Sequence, residues 1–125
     1  MDDYDRLQHL QRHELTALAE FVARLRERFS DTIRNVWIFG SKVRGDFDAE
    51  SDMDLLIVVQ DYNWALEKDI TRIAAQTDCT YDVVLSDHIV SATRFAQMAT
   101  RQEPLYHSIE REGVDLWTLE LQPTI

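Results

Sequence analysis

A chain of 125 residues supplies one hydrophobic core, so a single domain spanning 1–125 is expected. Its hydrophobic share of 45% is ordinary for a globular protein and argues against disorder, while no apolar run approaches the ~20 residues that cross a bilayer. Twenty-three acidic against thirteen basic residues leave a formal charge of −10. Such a surface repels a phosphate backbone, which disfavours tight, unaided nucleic-acid binding. Phosphate chemistry on it calls for a divalent cation, and a macromolecular partner is expected to be basic.

The N-terminal MDDYDRLQHL is acidic and lacks the basic-then-apolar layout of a signal peptide, so a cytoplasmic location is expected. Cys79 stands alone, which excludes an internal disulfide and any multi-cysteine zinc site. It reads as a small buried residue.

Over residues 5–29, Leu7, Leu10, Leu18, Phe21, Val22, Leu25 and Phe29 recur at helical spacing, with Arg, Glu and Gln on the opposite face. Residues 35–39 (NVWIF) form a short β-rich run closed by Gly40, with Trp37 and Phe39 as core. Residues 54–59 (DLLIVV) are almost wholly apolar, as in a strand covered on both faces. Residues 62–76 predict a helix that turns Trp64, Ile70, Ile73 and Ala74 inward. Residues 80–85 (TYDVVL) predict a third strand, followed by a helix capped by Ser86 or Asp87 and running to about Arg101. A last helix follows Pro104 and stops at Gly113, with a short edge strand over 115–118. One sheet packed with helices accommodates this order, an α+β fold with α/β-type packing.

The loop between the first two strands, residues 41–53, is long for a compact domain, and such loops usually carry function. Three phosphate or metal motifs fail against it or nearby. Gly40 and Gly45 have the Walker A separation, but Asp46 stands where lysine is required. An EF-hand beginning at Asp46 would need Gly and Glu where Ser51 and Ile57 stand. His13-Glu14 lacks the second histidine of a zinc-protease helix, since Ala17 occupies its place.

Asp52 and Asp54 fit a different chemistry. Two apart at the start of a strand, they point to one face with ~7 Å between α-carbons. Leu56 and Val58 continue that face, while Met53, Leu55 and Ile57 take the other. Adjacent carboxylates repel unless a cation lies between them, and magnesium suits hard oxygen ligands. A bare Asp-x-Asp is more often a pair of solvated acids, but three neighbours change its meaning. Gly40 lets the backbone approach a phosphate, Ser41 adds a hydroxyl, and Arg44 can bond a phosphate or pair with a nearby acid. Asp82 within the expected apolar strand would be costly unless paired or ligating. Together these residues are expected to make a two-metal phosphoryl-transfer site.

Gly40-Ser41, ten residues, then Asp52-x-Asp54 resembles the signature of the DNA polymerase β-like nucleotidyltransferase superfamily. The fuller text GSKVRGDFDAESDMDLLIV is similar to its minimal nucleotidyltransferases, the MntA-type antitoxins that accompany HEPN ribonuclease toxins. The resemblance covers about residues 15–118. It implies a small mixed sheet flanked by helices, Gly40 and Ser41 at a nucleoside triphosphate, and Asp52 and Asp54 as ligands of two magnesium ions. It also implies Asp82 as a third carboxylate that helps deprotonate the acceptor hydroxyl. The expected reaction moves AMP from ATP to a hydroxyl, with a tyrosine of a cognate HEPN toxin as acceptor. Two alternatives stay open: a non-catalytic antitoxin that masks its toxin one for one, and a homo-oligomer in which a second protomer completes a small-molecule site. His9, His13, His88 and His107 are assigned no role, and Asp46, Asp48 and Glu50 read as a solvated loop or a docking surface for a basic partner.

Overall fold

A computed structural model describes residues 3–45 and 52–119. The acids Asp46, Asp48 and Glu50 lie outside the described residues. The chain opens with α1 (Asp3–Leu7) and α2 (Arg12–Phe29). The single helix expected over 5–29 is therefore two. The break has a local cause: Gln11 is extended, and its N–H donates to the Glu14 carboxylate at 2.8 Å, which starts a new helix. α2 then buries Ala17, Leu18, Phe21, Val22 and Leu25 along one stripe.

Strand β1 (Ile33–Phe39) leads through the short helix α3 (Ser41–Arg44) toward β2 (Met53–Val59). The helix α4 (Trp64–Tyr81) crosses over to β3 (Leu85–Ser91), and α5 (Ala92–Thr100), α6 (Pro104–Glu112) and β4 (Val114–Asp115) complete the order. The sheet runs β3-β2-β1-β4. β1 is antiparallel to β2 and β4, and β2 is parallel to β3, so the sheet is mixed as expected. Alternation sends Val36, Ile38, Leu55 and Ile57 into a core with the apolar stripes of α2 and α4. On the other face Phe39, Leu56 and Val58 meet Ile109 of α6, with Phe95 of α5 and Leu105 packed around them. β2 lies between these two cores, which accounts for its unbroken apolar text.

Several expectations shift. The third strand begins at Leu85, not near Thr80, because α4 continues to Tyr81. Its buried stripe Leu66, Ile70, Ile73, Ala74 and Thr77 keeps the helical period, and the hydroxyls of Thr77 and Thr80 bond back to the carbonyls of Ile73 and Gln76. Tertiary packing thus overrides the β propensity of TYDVV. Asp82 ends the helix in the left-handed region at φ 55°, exposed, with its N–H donating to the Asp78 carbonyl. The cap of α5 is Ser91, whose Oγ accepts the Arg94 N–H at 3.0 Å; Ser86 and Asp87 are strand residues. Trp64 is 69% exposed at the first position of α4, with Lys68 over its ring, rather than inward. Cys79 is exposed on the outer side of α4. Gly113 does cap α6, and the last strand is the two-residue β4. No helix among the described residues is long and apolar enough to cross a membrane.

Candidate active site

At one end of the sheet the last residue of β1, Phe39, lies opposite Asp54 of β2, and Asp54 lies opposite Ser86 of β3. Asp52 immediately precedes β2 and is exposed. Its neighbour Met53 anchors it there by donating its N–H to the Val84 carbonyl at 2.9 Å. The expected pair Asp52 and Asp54 therefore stands side by side at the mouth of the sheet.

Gly40 is the turn that brings the chain against them. It has φ 89°, a conformation side chains rarely adopt, and its carbonyl accepts the N–H groups of Val43 and Arg44 to start α3 at Ser41. A Cβ on Gly40 would collide with Asp54 Oδ2 and lie 3.2 Å from its Cγ. Only glycine permits this contact.

Burial is the main reason the Asp54 carboxyl titrates above its ordinary value. His88 and Arg44 pull it down, whereas Asp52 and Glu112 push it up. The site is thus a concentration of negative charge that a cation would relieve. Magnesium typically takes one or two carboxylates and completes its shell with water and substrate phosphates. Asp52 and Asp54 fit that donor set.

Asp82 lies at the same end of the sheet but forms no three-acid cluster with them. Among the described residues no group of three or more His, Cys, Asp or Glu converges on a metal position. The expected third ligand sits instead on the exposed turn after α4, because that helix extends past the point where a strand was expected. Asp78, one turn earlier, is the acid that the site uses structurally. Its carboxylate accepts the Leu85 N–H at 2.9 Å, while its carbonyl takes the N–H groups of Asp82 and Val83. The turn that carries Val84 to Met53 is fixed in this way. Burial raises the Asp78 carboxyl as well, opposed by the Leu85 hydrogen bond.

Two buried acids clamp α3. Lys42, 1% exposed, pairs with Glu14 at 2.7 Å. Glu112 accepts the Gly40 N–H at 2.6 Å and Arg44 Nη1 at 2.9 Å on the same oxygen. Arg44 thus pairs with an acid, one of the two roles left open for it. Sequence reasoning missed Glu14, Lys42, Asp78 and Glu112. Glu14, Lys42 and Glu112 are charged residues whose burial arises from contacts distant in sequence, with only the helix boundary at Gly113 hinting at Glu112, whereas half-buried Asp78 works through the local turn to Leu85. His88 also gained a place: alternation puts it on the Asp54 face of β3.

A mixed sheet with a Gly-Ser turn facing Asp54 on β2 and Asp52 just before it is the arrangement expected of a nucleotidyltransferase. The nucleotidyltransferase domain family matches residues 18–106, and the chain belongs to that family. It is a nucleotidyltransferase. Two Methanocaldococcus jannaschii proteins that carry the name putative protein adenylyltransferase are similar to it. MJ0141 is 36% identical over 77 residues, 61% of this chain and 78% of MJ0141. MJ0604 is 44% identical over 46 residues, 37% of this chain and 46% of MJ0604. The chain thus spans less than half the length of the second relative.

Proposed function

We propose that this nucleotidyltransferase moves AMP from ATP to a hydroxyl of a protein, namely a tyrosine of a cognate HEPN toxin, and so acts as an antitoxin. The observation that carries the reading is the seating of Asp54 against Gly40. It brings a carboxylate pair to the turn that opens on Ser41. The names of the two archaeal relatives support adenylyl transfer to a protein. The choice of toxin rests on the likeness of residues 40–58 to the MntA-type text.

In this reading Asp52 and Asp54 hold magnesium, which when bound supplies positive charge beside the triphosphate. Gly40 and Ser41 offer a close backbone approach and a hydroxyl to the phosphate oxygens, and Arg44 faces the same end. The acceptor oxygen attacks the α-phosphorus, the bond to the bridging oxygen breaks, and pyrophosphate leaves. The hydroxyl proton passes to a carboxylate on the acceptor side. Asp82 is assigned that place, as an exposed acid at the same end of the sheet. Positioning and electrostatics supply most of the acceleration.

The test mixes the partner with a tenfold deficit of this chain, magnesium and ATP, removes the chain, and measures the partner by intact mass and ribonuclease assay. An added AMP on an inactive partner is expected. An unmodified partner that regains full activity after separation, and is protected equally by wild type and Asp52→Asn while bound, would mean that stoichiometric masking neutralises it.

A further inference from the structure

We infer that Glu112 is a positioning residue for nucleotide binding: its buried carboxylate holds the Gly40 turn and the Arg44 guanidinium in place before a nucleotide arrives. The inference rests on the nucleotidyl-transfer reading above and adds to it a residue outside the span 18–106 that the family matches.

The placement begins with α6. Ile109 docks this helix on Phe39, Leu56 and Val58, and Glu112, three residues on, lies on the same face one turn later. That brings a carboxylate beneath Gly40, 72 positions away in sequence. Glu112 is only 6% exposed. Removing a carboxylate from water is costly, and partial satisfaction makes it more so. Here one oxygen takes both donors, while among the described residues Oε1 is buried without a hydrogen bond and has Arg111 Nη2 at 3.6 Å. An apolar side chain would fill the same space at lower cost, so packing alone does not account for a glutamate.

Its two contacts share one consequence. Glu112 holds the Gly40 N–H within the turn whose φ is 89°, and the Gly40 carbonyl in turn starts α3. Ser41 inherits its orientation from that geometry. Arg44, at the other end of α3, is held to the same carboxylate oxygen. Glu112 therefore sets both ends of the segment that meets the triphosphate. The same charge is felt at Asp54.

A positioning role predicts a loss of binding that stability does not track. MgATP affinity is to be measured by calorimetry, below the melting temperature of each protein, for wild type, Glu112→Gln and Glu112→Ala. ATP KM and kcat follow on the same samples, with urea midpoints as the stability control. Glu112→Ala is expected to weaken MgATP about tenfold or more, through KM rather than kcat. Glu112→Gln keeps an oxygen for the Gly40 N–H but loses the charge at Arg44, so it should fall between. It also keeps the test open should the alanine variant fail to fold. Wild-type binding with unchanged affinity in the folded glutamine variant would overturn the inference and leave the nucleotidyl reading standing. Failure of wild type to bind MgATP would overturn both.

Discussion

The carboxylate of Asp54 occupies the space that a side chain on Gly40 would need. Strand end and strand start are thereby locked in contact, and the φ of 89° at Gly40 is the backbone conformation that permits it. Gly40→Ala should therefore act twice. The positive φ alone costs about 1–3 kcal/mol, and the clash with Asp54 adds to it. Urea denaturation of Gly40→Ala, alone and in an Asp54→Ala background, separates the two: the penalty should be smaller where Asp54 is truncated. Equal penalties in both backgrounds would show that the contact carries no energy.

The raised Asp54 carboxyl gives a pH dependence of definite sign. Burial favours its protonated form in the folded state, so its contribution to stability is full below the unfolded value and is lost as pH rises through the folded one. Asparagine does not ionise. Without metal, Asp54→Asn should match wild type at acidic pH and become progressively more stable than wild type toward neutrality, while transfer is abolished. A stability gap that closes as pH rises contradicts the assignment.

Asp52 and Asp54 also predict linked binding of nucleotide and metal. A triphosphate cannot approach two carboxylates uncompensated, so ATP should raise the melting temperature only with magnesium present. Equal stabilisation in excess EDTA would remove the metal from the site.

Beneath the turn, Lys42 and Glu14 form an almost dry ion pair. Breaking it from one side strands a buried charge, and Lys42→Met should cost about 3–5 kcal/mol. Lys42→Met with Glu14→Leu should recover most of that. The residual loss reflects the N–H of Gln11, which Glu14 also accepts, and is about 1 kcal/mol. Chemical denaturation of the two variants measures both quantities, and a double variant no better than the single would show that the charge pairing is immaterial.

Much of this was legible in the sequence because it is local. Alternation along 54–59 assigned the faces of β2, and Asp52-x-Asp54 with Gly40-Ser41 announced the mouth of the sheet. Asp82 was misplaced because TYDVV favours a strand by propensity, whereas α4 follows the buried stripe from Leu66 to Thr77. Trp64 was misplaced for a related reason: an aromatic residue at a helix start has no neighbour one turn back to fix its face. Glu112 and Glu14 could not be paired with their partners from the sequence. Their partners, Gly40 and Lys42, are distant in sequence, and nothing in a single chain of text records that meeting.

Asp82 itself separates a chemical role from a helix terminator. Its left-handed φ of 55° is tolerated by aspartate at a cost of about 1 kcal/mol or somewhat more relative to glycine, and asparagine is comparable to aspartate. Asp82→Gly should therefore raise the melting temperature by several degrees, and Asp82→Asn should leave it unchanged. Neither substitution removes the N–H that donates to the Asp78 carbonyl, so the turn through Val84 to Met53 survives in both. If Asp82 receives the acceptor proton, both variants should lose about 100-fold or more in kcat with ATP KM unchanged, despite equal or greater stability. The measurement is steady-state transfer on both variants beside their melting curves. Full turnover in the stabilised glycine variant would reduce Asp82 to the residue that ends α4 and pass the proton to another acceptor.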